Sequence, residues 1–331
     1  VLEGLYRFNM ADYSVSPALA AGDPVKVSDT EYEVSLREGA KFSDGTPVTA
    51  ADVVSSYERA TSEKSIYRQF FTFVDSVSAK DDTTVTITLK HPFANLKERF
   101  VNVRVVPSSM DEDSLKAKPV GSGPYKYETI TATEITAVPN ENYTGNEPAK
   151  VATLKWQALK DDSARLAAAI GGTIDVMEAV PASTQDQLKN VGWNVESKPG
   201  YGNPFMMFNT RKAPFDKPEV RRAFLKAIDK QKLISSALDG QAVEATSFLP
   251  EANPAYKKPA TDLSYDKAAA TKLLSDAGVS GLEINLVTTD HPWVLNLVPQ
   301  IKSDLEALGV KVNHTQMASS DLYSNVADVD S

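Results

Sequence analysis

Between Leu36 and Arg59 the chain reads as a strand end, a tight turn and a capped helix in direct succession. Glu31–Leu36 alternates so that Tyr32, Val34 and Leu36 share one face, the period of a half-buried strand. Lys41–Pro47 contains Asp44-Gly45, residues that tolerate positive φ, and is expected to turn. Thr49-Ala50-Ala51-Asp52 then has the form of a capping box. The Thr49 hydroxyl can accept the Asp52 amide while the Asp52 carboxylate reaches back. Val53, Val54 and Tyr57 follow and predict one buried helical face.

Other elements show the same kind of pattern. Asp75–Lys80 and Thr84–Leu89 flank Asp81-Asp82 as a predicted hairpin, with Val85, Ile87 and Leu89 on its apolar face. Tyr125–Glu128 and Glu134–Val138 predict a second strand pair. The Asn-, Gly- and Pro-rich stretch Pro139–Pro148 then reads as a domain boundary. Beyond it, Leu154, Trp156 and Ala158 alternate as a strand, Asp162–Ile170 is helical and Thr173–Val176 is expected as a short buried strand. That order implies an α/β layer with some parallel pairing.

Tyr201–Asn209 reads as an aromatic strand. Asp216-Lys217-Pro218-Glu219 reads as a second capping box, before a helix with a Val220, Phe224 and Ile228 stripe. Asp266–Ala277 is a helix closed by Gly278, Leu282, Ile284 and Leu286 form a strand, and Val294–Leu308 is a helix closed by Gly309. Val310–Val312 starts a further strand, completing a βαβ unit. Pro299 is expected to kink that helix or shift its start.

Several function classes are disfavoured by composition. A chain of 331 residues suggests two or three domains, and its 42% hydrophobic content supports a sizeable core. A net charge of −9 argues against nucleic acid, whose phosphates need a basic face, and against anionic lipid. The absence of cysteine removes disulfides, thiolate zinc sites and cysteine nucleophiles. No apolar run reaches the length of a membrane span, and any export signal or lipid-anchor cysteine is expected upstream of Val1. Gly121-Ser122-Gly123 lacks the lysine of a phosphate loop and the spacing of a nucleophile elbow, so it reads as a structural turn. His91, His291 and His314 have no ligand-like spacing, Met206 and Met207 read as core, and no metal or cofactor is expected.

The string from Leu36 to Val53, LREGAKFSDGTPVTAADV, closely resembles the signature of family 5 extracellular solute-binding proteins of ABC importers, which include dipeptide, oligopeptide and nickel receptors. The resemblance recurs in order along the chain. It covers Glu3-Gly4-Leu5-Tyr6, Pro119–Tyr125, Asn142-Tyr143 with Gly145 and Pro148, and Gly172–Asp175. It continues through Asn209 with Ala213–Asp216, Val220–Ala223, Ala227–Lys230, Leu273-Leu274 with Ala277-Gly278, and Leu308–Val312.

The fold it implies is α/β, of the periplasmic-binding-protein-like type II (cluster C), with mixed sheets in two lobes and an extra β-rich domain. Domain I would comprise residues 1–30 and 151–202, and domain II residues 31–150. Residues 203–331 would be the N-terminal part of a domain III that is incomplete in this chain. The family's acidic residue for a peptide α-amino group would lie past Ser331.

The resemblance further implies capture of oligopeptides or dipeptides by lobe closure and delivery to the membrane subunits of an ABC permease. The receptor would be monomeric and extracytoplasmic, either periplasmic or a lipoprotein, and would perform no catalysis. Within the family, a nickel chelate, an oligosaccharide or another small solute is an alternative ligand; a secreted hydrolase is the alternative from another class. Tyr201, Asn203 and Phe205 are the expected cleft-lining residues, tyrosine joining an apolar body to a polar tip. Leu5 and Tyr6 are placed similarly by the resemblance. Arg104 is a candidate partner for a ligand carboxylate or for a surface acid. His291 and Trp293 follow a strand, where α/β proteins often bind ligands.

Overall fold

A buried carboxylate organises the first part of the molecule. In the computed structural model, which describes residues 1–12, 14–63, 65–198 and 200–325, helix α1 spans Ala50–Ala60 and starts at the expected box. The Thr49 N–H and hydroxyl both donate to Asp52 Oδ2 at 2.8 Å, whereas the Asp52 N–H turns to the Thr49 carbonyl at 3.1 Å. The carboxylate arm therefore carries the cap. Its other oxygen accepts the Ser108 N–H at 2.7 Å, a tie between residues 56 apart. One turn along, Ser56 repeats the connection by accepting the Val106 N–H at 3.1 Å. Asp52 and Ser56 are both buried, so these bonds satisfy groups that water cannot reach.

Residues Val1–Leu159 form one compact unit and Lys160–Ser331 a second. In the first, β1 (Tyr6–Phe8) and β2 (Val15–Pro17) pair antiparallel. Strands β3 (Val25–Lys26), β4 (Glu31–Ser35), β5 (Val74–Ala79) and β6 (Thr84–Leu89) make an antiparallel sheet in the order β3-β4-β6-β5. The predicted hairpin is its β5–β6 edge, with Val85, Ile87 and Leu89 buried. Val34, Val53 and these residues build the core with Leu5, Tyr6 and Phe42. The Tyr57 ring stacks on Phe100, 6.0 Å between centroids, and meets the edge of Phe71 at 5.6 Å. Short helices α2 (Leu96–Phe100) and α3 (Glu112–Ala117) follow, α3 capped by Asp111.

Strands β7 (Tyr125–Ile130), β8 (Glu134–Pro139) and β9 (Leu154–Gln157) form a third, antiparallel sheet. The Gly121-Ser122-Gly123 turn leads into it. A Cβ on either glycine would lie 2.5 Å from the Val1 carbonyl oxygen, so both positions exclude any side chain. The buried Asn140 amide fixes the same turn by donating to the Gly123 carbonyl at 2.8 Å.

The second unit contains α4 (Asp162–Ile170), α5 (Gln185–Asn190), α6 (Pro218–Ala227), α7 (Lys230–Ala237) and α8 (Lys267–Asp276). Strand β10 (Glu283–Thr289), helices α9 (Pro292–Leu295) and α10 (Val298–Glu306), strand β11 (Lys311–Met317) and α11 (Ser319–Asn325) follow. β10 and β11 pair in parallel, as the βαβ reading requires. Pro299 sits in the first turn of α10, where its missing N–H has no helical partner to lose, so it shifts the helix start. Val220, Ala223, Phe224 and Ala227 of α6 pack on Ala270 and Leu274 of α8 and Leu305 of α10. Phe208, Phe215 and Phe224 make a trio with centroids 5.0 to 5.6 Å apart.

Four expectations are corrected. Thr173–Val176 is not a strand and Val176 is 78% exposed; β9 pairs antiparallel with β8, not in parallel with this segment. Tyr201–Asn209 is likewise not a strand, although its alternation is real: Met206 and Phe208 pack on the second core while Phe205 and Met207 face out. Met207 is therefore not a core residue. The second capping box does not form, because Pro218 occupies the first helical turn and places the N-cap at Lys217, one residue after Asp216.

Two outcomes follow. Asp52→Ala, which removes the cap and orphans the Ser108 N–H, should lower unfolding free energy by about 2–4 kcal/mol, against about 1 kcal/mol for Thr49→Ala, in urea titrations. The second concerns the Tyr6 hydroxyl, which donates to the Gly22 carbonyl at 3.2 Å. Burial first, then the charge of Asp23, raises its pKa above the ordinary value. The folded state holds this proton where an unfolded tyrosine releases it, so the associated stability is intact below about pH 10 and lost as pH rises further. Tyr6→Phe should therefore flatten the alkaline fall in Tm between pH 9 and 11 while lowering Tm at pH 7.

Candidate functional site

The residues singled out from sequence fall on both units. In the first, Leu5 and Tyr6 are fully buried, their side chains filling the core beneath β1 and β2. Arg104 is exposed between buried Val103 and Val105, and makes no ion pair among the described residues. The neighbouring Val105 N–H donates to the Glu3 carbonyl at 2.8 Å, which fixes this segment against the start of β1.

A charged network that sequence reasoning missed surrounds β1. Arg37 pairs with Glu3 at 3.2 Å, donates to the Ala18 carbonyl and lies 5.7 Å over the Tyr143 ring. Arg7 grips Glu147 in two-pronged fashion, at 2.5 and 2.7 Å. That hydrogen bonding holds the Arg7 pKa up and the Glu147 pKa down. Burial, followed by the charge of Glu3, raises the Tyr143 hydroxyl. Glu147 and Tyr143 lie in the loop after β8, so the network fastens that loop to β1 across 140 residues of sequence. Of this loop, the family resemblance marks Asn142-Tyr143, Gly145 and Pro148 and not Glu147.

In the second unit, segment 201–208 lies beside segment 244–248. The Asn203 side-chain amide donates to the carbonyls of Ser247 and Phe248, at 3.1 and 3.3 Å. Lys230, at the start of α7, donates to the Ala245 carbonyl at 2.9 Å and pairs with Glu244 at 3.1 Å. Gln231 donates to the same carboxylate at 2.7 Å, and the Thr246 and Tyr256 hydroxyls are 2.7 Å apart. Against this pinned backbone three aromatic side chains face outward: Tyr201 at 37% exposure, Phe205 at 70% and Phe248 at 81%. Phe248 had no local signal in the sequence, since its place depends on a partner 45 residues away.

His291 is the N-cap residue of α9 and Trp293 lies one residue into that helix, half exposed. Both follow the C-terminal end of β10, as expected for this topology. A nearby open groove of about 480 Å³ is lined by Ser236, Ala237, Asp239, Asn296, Pro299 and Gln300, and none of the sequence-predicted residues lines it. No helix among the described residues is long and apolar enough to cross a membrane.

What the arrangement offers chemically is adhesion: exposed rings on a fixed backbone, with polar groups committed to holding it. The model for bacterial extracellular solute-binding proteins, family 5 (middle), matches residues 14–330. The glutathione-binding protein GsiB of Salmonella typhimurium strain LT2 is 28% identical over 326 residues, covering 95% of this chain and 63% of its own length. This chain thus spans less than two thirds of such curated relatives. Among solved structures, the binding protein AgaA from A. tumefaciens R10, in complex with agropinic acid, superposes with a TM-score of 0.86 at 27% identity, covering 100% of this chain and 69% of that one. The oligopeptide-binding protein AppA from Bacillus subtilis, in complex with a nonapeptide, shares the fold at a TM-score of 0.82 and 20% identity, covering 98% and 70%. The α/β periplasmic-binding-protein fold is therefore shared with both solved structures, and the chain belongs to the family 5 bacterial extracellular solute-binding proteins.

Proposed function

We propose that this chain is part of the extracytoplasmic substrate-binding component of an ABC importer, which captures a short peptide and delivers it to the membrane subunits of a permease. Membership in family 5 over residues 14–330 carries this reading. A GsiB relative that binds glutathione, a tripeptide, supports the ligand class. Capture needs no covalent step: aromatic side chains such as Tyr201 and Phe205 cover apolar parts of the solute, while main-chain groups and bound water satisfy its amides. Closure of two lobes around the solute would bury it and present one defined surface to the permease. The protein works as a monomer outside the cytoplasmic membrane, free or lipid-anchored, and does not turn its ligand over.

A second reading, an opine-like solute, has its own support in the 27% identity with the agropinic acid receptor. Isothermal titration with glutathione, a set of tripeptides and agropinic acid separates the two. The peptide reading predicts one-to-one binding of tripeptides with no product by mass spectrometry, and binding of agropinic acid alone would replace it. Hydrolysis of any of these solutes would overturn receptor function. Phe205→Ala should weaken binding about tenfold with Tm unchanged, because an exposed ring contributes contact area to a ligand and little to the fold.

A further inference from the structure

Phe248 is the most exposed of the large hydrophobic side chains among the described residues, yet its carbonyl is held by a distant side chain. An apolar ring in water gains nothing from rigidity, and a loop without a task for that ring could fold it inward. Here the surrounding polar groups hold the main chain that carries the ring. Asn203 takes the carbonyls of residues 247 and 248, Lys230 takes that of Ala245, and Glu244 is held by both Lys230 and Gln231. The segment is thus fastened at 244–245 and again at 247–248. Asn203, half-buried, sits two residues before the exposed Phe205, while Met206 and Phe208 enter the core. One amide thus ties the chain that carries Phe205 to the chain that carries Phe248, and both rings are exposed.

Resting on the peptide-receptor reading above, we propose that Phe248 is a specificity-determining contact for an apolar side chain of the bound peptide, and that Asn203 is the positioning residue that presents it. Continuity of Phe248 with the Asn203–Phe205 segment favours a solute over a second copy of the chain as the occupant. Because both donors of the Asn203 amide are engaged with main-chain carbonyls, its effect on ligand runs through the loop it holds. A ring of this size rewards a branched or aromatic ligand side chain and is indifferent to a methyl group.

The test is titration calorimetry of the 331-residue chain with two probes, alanyl-leucyl-alanine and trialanine. Phe248→Ala should lower affinity for the leucyl peptide about tenfold and for trialanine less than about twofold, with Tm unchanged. Asn203→Asp, which replaces the amide donors by an acceptor, should produce the same loss of selectivity. It should also lower the backbone NMR order parameters of residues 244–248, which Phe248→Ala should not. Wild-type binding with selectivity untouched by Phe248→Ala overturns this assignment alone. Wild-type failure to bind either peptide overturns the peptide reading and the assignment with it. A concentration-dependent dimer in sedimentation, abolished by Phe248→Ala, would reassign the ring to self-association.

Discussion

The carboxylate of Asp52 is the interaction on which the first unit turns. A buried charge is tolerated only when its lone pairs are taken, and Asp52 achieves this with three donors from two distant segments. Satisfying them fixes the start of α1 and draws residues 106–108 onto it. With α1 in place, Val53 seals the sheet of β4, β5 and β6, and Tyr57 closes over Phe71 and Phe100. The same helix thus joins a local signal, the capping box, to a tertiary one that only folding reveals.

Local chemistry made much of the fold legible in advance. The box at Thr49–Asp52, the β5–β6 hairpin, the Asp266 cap with Gly278 at its far end, and the parallel β10–β11 unit all rest on patterns within a few residues. The two strand failures share one cause. A strand is defined by its neighbour, and alternation at 201–209 or 173–176 cannot say whether one exists. At Asp216 the competing signal was equally local: proline in the first turn moved the cap by one residue. Bonds between distant residues, Arg7 with Glu147 or Asp52 with Ser108, leave no short-range trace at all.

The same distinction applies to the site. Aromatic residues at 201 and 205 were conspicuous in sequence, but which faces they occupy depends on the core that Met206 and Phe208 enter. Leu5 and Tyr6, adjacent to a glycine that a Val103 carbonyl approaches closely, are held as core by packing that the resemblance could not convey. Phe248 was invisible because its significance lies in a clamp, not in its neighbours along the chain.

Membership in family 5 over residues 14–330 is the basis for reading this chain as a receptor, and the exposed rings of the second unit offer apolar contact area. Native mass spectrometry of the protein with an equimolar tripeptide library tests that reading most directly. Receptor function predicts a complex heavier than the free chain by one peptide, from which the peptide is recovered at its original mass after prolonged incubation. Recovery of cleaved peptides, or a spectrum of free chain alone at millimolar library, would contradict it.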